Sequence, residues 1–263
     1  MPLLIEGVPG NTLANQFTIN NILDNVDLKT FNSQLYFDLQ NTNSLTLDSG
    51  VRQIADLSGN NRHALQNTIT SRPEYTHILG MPCVRFNVGA SNRFMSFDDQ
   101  FCANSLYQIF VVAGRCRESA MIQYGSNLGS SKSLHFGWLN NSTFRFSHYA
   151  IGDTYDAAVV APPLHTPALI QVGLNNTGKF IKLDGYPVKQ STIAYKLIYT
   201  GSPSYFGTSG VGDIGLFIHE YIGFNRILST EESNLIEAYL ARKWKTTNRF
   251  NPNHVHYNLA IAA

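Results

Sequence analysis

The sequence predicts an all-β protein: a two-sheet antiparallel sandwich with one C-terminal amphipathic helix. Two observations carry this, and a third concerns composition. Short apolar or alternating runs recur at even spacing between turn signals, the rhythm of a sandwich rather than of strand–helix–strand units. One stretch near the end, from Ser229 to Trp244, carries a helical pattern with a marked start. Charged residues make up only 14% of 263 residues, against roughly 25% in an average globular chain. Asn, Ser, Thr and Gly take their place.

Taken in order, residues 1–33 are punctuated by Pro2, Pro9 and Gly10, with scattered apolar residues such as Phe17, Ile19 and Leu23. They read as an arm or as an ordinary edge strand and turn. Strand signals begin at Leu35-Tyr-Phe-Asp38 and Leu45-Thr-Leu47. Asp56-Leu-Ser-Gly-Asn-Asn61 is a dense turn cluster. Cys83-Val-Arg-Phe86 and Phe94-Met-Ser-Phe97 alternate as strands do. Tyr107–Ala113 is apolar on both faces, which predicts a central strand. Met121-Ile-Gln-Tyr124, Leu134–Trp138 and Thr143–Ser147 follow, with Asn140-Asn141 as the turn of a hairpin between the last two. Residues 151–167 read as a loop. Ala168–Leu174 and Lys179–Leu183 form a hairpin through Asn175–Gly178, and Asp184-Gly185 marks another turn. A Gly/Ser loop, Gly201–Gly212, precedes the last strand, an apolar run from Asp213 that leads through Asn225-Arg226 into the helix. Ser229 then caps the helix with Glu232 three residues on, a capping box. Leu235, Ile236, Tyr239, Leu240 and Trp244 fall on one helical face. Residues 247–263 read as a polar tail. One sandwich, 34–246, is expected between arm and tail.

Composition excludes several functions. A net charge of +1 gives no bulk field favouring nucleic acid or an anionic membrane. No apolar run approaches the ~18 residues of a spanning helix. The N-terminus lacks the basic and apolar regions of a secretory signal. Cys83, Cys102 and Cys116 lack metal-ligand spacing and read as buried thiols. The 25 Asn, with Asn-Asn pairs at 20–21, 60–61, 140–141 and 175–176, suit turns that need positive φ. Amides also suit sugar hydroxyls. Candidate ligand residues on that reading are Trp138 with Asn140 and Asn141, and Tyr149, Asp153 and Tyr155 in or beside the long loop. The competing reading puts Trp138 in the core and the tyrosines against the loop. Asp98-Asp99, and Asp153 with Asp156, are the close acidic pairs, and surface turns account for them. His254-Val-His256 belongs to the tail. No metal or cofactor is expected. Gly210–Gly215 matches G-x-G-x-x-G by letter, but a loop precedes it and a strand follows, so it is no dinucleotide site.

Several segments together resemble one family. They are Leu35-Tyr-Phe-Asp, Ile54-Ala-Asp-Leu-Ser-Gly-Asn-Asn-Arg-His-Ala64, Arg72-Pro-Glu-Tyr75, Val84-Arg-Phe-Asn87, and Gly215–Glu232 with Tyr239-Leu-Ala-Arg-Lys-Trp244. They are similar to concanavalin A-like, laminin-G-like jelly-roll domains, over roughly residues 35–246. The resemblance implies a jelly-roll sandwich. Such domains are common in bacterial surface proteins and in bacteriophage virion and tail proteins. The family's glucanases carry a Glu-x-Asp-x-x-Glu array on one strand. The seven glutamates here form no such array. Asp213 and Glu220 near the last strand are offset by seven residues, on opposite faces. The chain is therefore expected to be a non-enzymatic structural protein of a virus particle, a bacteriophage tail, fibre or head-decoration component located in the virion. Its expected partners are other virion proteins and copies of itself. A carbohydrate-binding, receptor-binding module is the alternative, and a glycoside hydrolase a distant third.

Overall fold

The computed structural model describes residues 26, 28–86, 92–126, 129, 131–149, 154–192, 195–198, 201–207 and 215–261. Their strands are β1 (Leu35–Asp38), β2 (Leu45–Leu47), β3 (Val51–Ile54), β4 (Ala64–Leu65), β5 (Glu74–Ile78), β6 (Met81–Phe86), β7 (Met95–Phe97), β8 (Tyr107–Arg115) and β9 (Ala120–Gly125). They continue as β10 (His135–Trp138), β11 (Thr143–Ser147), β12 (Thr154–Ala158), β13 (Pro167–Asn175), β14 (Gly178–Leu183), β15 (Tyr186–Gln190), β16 (Ser204–Phe206) and β17 (Leu216–Phe224). The helices are α1 (Thr230–Lys243) and α2 (Tyr257–Ile261).

Two antiparallel sheets face each other. Sheet one is 8-stranded, in the order β15-β14-β13-β8-β17-β6-β5, with β1 also on β17. Sheet two is 9-stranded, in the order β12-β11-β10-β9-β16-β7-β4-β3-β2. The predicted hairpins at Asn140-Asn141, Asn175–Gly178 and Asp184-Gly185 are all present. The predicted central strand, β8, lies between β13 and β17 and is buried along its whole length.

Strand alternation explains that burial. Ile109, Val111 and Ala113 face the core between the sheets, while Phe110 and Val112 face the other way, under α1. Strand β17 does the same with one correction. Leu216 and Ile218 face the inter-sheet core, and a register shift between Ile218 and Glu220 changes the parity. After it Tyr221 faces that core and Ile222 and Phe224 face the helix. The inter-sheet core is aromatic: Phe37, Phe97, Phe206 and Tyr221 interlock, with Phe97 and Phe206 stacked at 4.1 Å.

Helix α1 starts as its sequence predicts. Ser229 accepts from the Glu232 amide at 3.2 Å, and the Glu232 carboxylate accepts from the Ser229 amide at 2.8 Å. Ile236, Leu240 and Trp244 are buried on sheet one. Each such side chain contributes about 1.5–3 kcal/mol.

The Asp56 turn is a tie between elements. One oxygen of Asp56 accepts from the amides of Tyr36 and Ser58, and the other from the Ser58 hydroxyl and the Arg62 amide. Asn60 reaches back to the carbonyls of Ser33 and Gln34. Four donors on one carboxylate fix the start of β1, which is why Asp, Ser and Asn occur there at that spacing.

The segment predicted as a polar tail is packed against the sandwich. Arg249 forms two bonds to Asp184, at 2.9 and 2.7 Å, and the Asn251 amide donates to the Asp184 carbonyl. Phe250 is buried against Gly185, whose φ of +77° and missing Cβ make room for the ring. His254 bonds Glu237 of α1 at 2.9 Å. A polar composition hid this because the anchors are a few specific pairs. Most of the predicted arm lies outside the described residues. In its last part Leu28 is buried and Phe31 half-buried against the cluster that α1 forms on sheet one.

Candidate functional site

The hairpin β10–β11 separates the predicted ligand residues. Asn140 and Asn141 sit at its turn, and Tyr149 lies beyond its open end, where Ser147 pairs with His135. Asn140 accepts from the Ser142 amide and hydroxyl, and Asn141 bonds Arg115 at 2.8 Å and Glu118 at 3.2 Å. Both asparagines are exposed and serve the turn and its neighbours. Trp138 is fully buried, edge-on to Phe144 at 5.5 Å, with the Arg115 guanidinium over its ring. Tyr155 lies in β12 opposite Phe146. Asp153 and Asp213 lie outside the described residues.

Tyr149 belongs to a different group, which the register assembles. Tyr124 of β9 lies directly opposite His135 of β10 on one side and Tyr205 of β16 on the other. Directly opposed residues share a face. Their sequence neighbours point inward: Gln123 accepts from the Tyr221 hydroxyl of the facing sheet at 2.6 Å, and Phe136 and Phe206 lie in the inter-sheet core. Tyr124, His135 and Tyr205 are therefore on the outer face of sheet two. Rings then follow one another across it. Phe94 meets Tyr205 at 5.4 Å, Tyr124 meets His135 at 4.2 Å, and His135 stacks on Tyr149 at 5.2 Å. The three tyrosines and Phe94 are partly or largely exposed, whereas His135 is buried beneath Tyr149.

Polar groups flank the row. Arg145 forms a bidentate pair with Asp156 at 2.8 and 2.9 Å, one strand away from His135. The Ser133 hydroxyl lies 2.7 Å from His135 Nε2. Burial first, and then the Arg145 charge, push the His135 pKa down to about 4, so the ring is neutral near pH 7. The surface therefore offers flat apolar faces rimmed by hydroxyls and a neutralised ion pair. That suits the C–H face of a sugar ring, or an apolar peptide side chain, better than an anion. Composition could not show the row, because its members come from five separate segments.

A second perturbed group centres on a buried carboxylate. Glu220 is fully buried, and its carboxylate takes bonds from Trp244 Nε1 and, at 2.7 Å, from Lys243, which also pairs with Asp38 at 2.8 Å. Burial raises the Glu220 pKa to about 7. Perturbed carboxylates of this kind occur in active sites. Here α1 covers the group, so no substrate reaches it. Among the described residues, no group of three or more His, Cys, Asp or Glu side chains is placed to hold a metal ion.

No protein-family model matches the chain, and no curated protein sequence does. Solved structures do. The binding domain of botulinum neurotoxin serotype D is 9% identical with a TM-score of 0.56, over 78% of this chain and 51% of that one. The binding domain of botulinum neurotoxin DC, solved in complex with rat synaptotagmin II, is 13% identical with a TM-score of 0.56, over 81% and 52%. Trypanosoma rangeli sialidase is 12% identical with a TM-score of 0.57, over 88% and 38%. The chain thus spans about half, or less, of the length of these solved chains. At this identity the likeness is one of fold: an all-β, jelly-roll-like sandwich of two antiparallel sheets.

Proposed function

We propose that this chain is a non-enzymatic binding module that takes a glycan on the outer face of sheet two. The observation that carries the reading is the aromatic row Phe94–Tyr205–Tyr124–His135–Tyr149. Exposed rings of this kind stack on pyranose faces, and each buries a large apolar area at little entropic cost. Likeness of fold to binding domains, one of them solved in complex with rat synaptotagmin II, supports the module reading. The test is a glycan array with the full chain, repeated with Tyr149→Ala and Tyr124→Ala. Binding in the parent chain and its loss in both variants is the expected result. Absence of binding to every glycan at high protein concentration sinks it.

The module is displayed, on the same proposal, as a component of a virus particle, a bacteriophage tail, fibre or head-decoration protein with homo-oligomeric and virion partners. Low charge, abundant Asn and the polar N-terminal segment support this part. Its test is deletion of residues 1–25, which stops short of the buried Leu28. Loss of incorporation with an intact sandwich is expected. Normal incorporation overturns the docking role of that segment.

A further inference from the structure

We propose that sheet one carries a second ligand site, for an uncharged hydroxyl-bearing ring of monosaccharide size, between the β13–β15 strands and the first turns of α1. An open pocket of about 480 Å³ lies there, on the opposite side of the sandwich from the aromatic row. Its lining includes Gln108, Gln171, Phe180, Ser233 and Asn234.

Two buried glutamines converge on one hydroxyl. Gln108 Nε2 and Gln171 Nε2 each donate to Ser233 Oγ at 3.0 Å. Gln108 also accepts from the Leu228 amide at 3.0 Å, so both ends of its amide are bonded. Gln171 differs. It is only 2% exposed, and its Oε1 has no partner. A buried amide oxygen left unpaired costs about 1–3 kcal/mol. Turning the amide over exchanges which end is left unpaired and removes nothing from that cost. A ligand hydroxyl, which both donates and accepts, satisfies either orientation.

The wall beside Gln171 is apolar and fixed. The Phe180 ring lies across Gly173, where an added Cβ would sit 2.6 Å from Phe180 Cζ. The ring is half-buried and keeps one part towards the pocket. The two charged lining residues are engaged: Lys182 with Glu237 at 3.1 Å, and Lys189 with the Asp156 carbonyl. An aromatic edge, a buried amide without its full complement and a lysine, Lys182, already paired with Glu237 favour an uncharged polar ring over an anion.

The experiment is a titration of the full chain with glucose and with N-acetylglucosamine, read by NMR on the glutamine side-chain amides. Saturable shifts of the Gln108 and Gln171 amides are expected with at least one probe. Asn234→Trp, at the pocket mouth on α1, should weaken the binding by ~tenfold or more. Gln171→Leu should do the same, with Asn234→Trp carrying the test if that variant fails to fold. Tyr149→Ala should leave these shifts unchanged. Shifts confined to residues of the aromatic row would overturn the second site while leaving the first standing. So would the absence of any saturable shift, or shifts that survive both pocket variants.

Discussion

The two outer faces of this sandwich are built by the same strand alternation and end up with opposite fates. On sheet one the outward residues Phe110, Val112, Ile222 and Phe224 are sealed under α1 by Ile236, Leu240 and Trp244. On sheet two the outward residues Tyr124 and Tyr205 remain partly exposed, with Phe94 and Tyr149 beside them. Apolar area that is covered contributes to stability. Apolar area left open on a folded domain is available for a partner. The comparison separates the residues that hold the fold from those that can meet a ligand.

The largest break in that comparison should come from the covered face. Trp244→Ala removes a buried indole and leaves Glu220 short of a donor, so a loss of about 3–5 kcal/mol is expected in urea unfolding. The matching change on the open face, Tyr124→Ala, should cost well under that, about 1 kcal/mol or less, and abolish glycan binding. If the two variants are equally destabilised, the open face is core.

Acid should act next. Burial holds the pKa of His135 and His219 down to about 4 and that of His148 to about 3. The unfolded chain protonates these rings below about pH 6.5, and the folded chain does not. The stability they carry is complete above that value and is lost as pH falls towards 4. Asp99, raised to about 6 by burial, and Glu220, raised to about 7, work the other way, because the folded chain takes their protons first. Asp184, which burial also raises, acts with them. The three imidazoles change their unfolded-state charge fully between about pH 7 and pH 5, so a modest net loss is expected, seen as a lower urea midpoint at about pH 5 than at about pH 7. A midpoint that rises on acidification would show the buried carboxyls to be dominant.

A smaller effect is expected at the helix start. Ser229→Ala removes one half of the capping box and should cost about 1 kcal/mol, measured by thermal unfolding. The smallest belongs to Arg145→Ala. Its pair with Asp156 is half-exposed on both sides, so the stability change should stay within about 0–1 kcal/mol while glycan affinity falls.

Features that depend on near neighbours in the chain were legible in the sequence. Ser229 and Glu232, the Asn175 and Asp184 turns, the Asp56 cluster and the two-faced strand β8 all announce themselves within a dozen residues. The aromatic row does not, because it exists only once β16 inserts between β7 and β9 and brings Tyr205 beside Tyr124. The parity change at Ile218–Glu220 is equally hidden. It turns two successive residues, His219 and Glu220, towards Trp244, which no strict alternation would place there. Tyr149 alone of the predicted ligand residues joins the row. Trp138 and the Asn140–Asn141 pair follow the other sequence reading, of core and turn.

The first turn of α1 holds both ends of the described chain. Arg226 bonds Glu232 and reaches the Phe31 carbonyl at 3.3 Å, and His256 bonds Glu231 at 3.1 Å. One turn of helix therefore clamps two stretches from opposite ends of the described chain. Loosening that turn would release both together, so they should open as one cooperative unit.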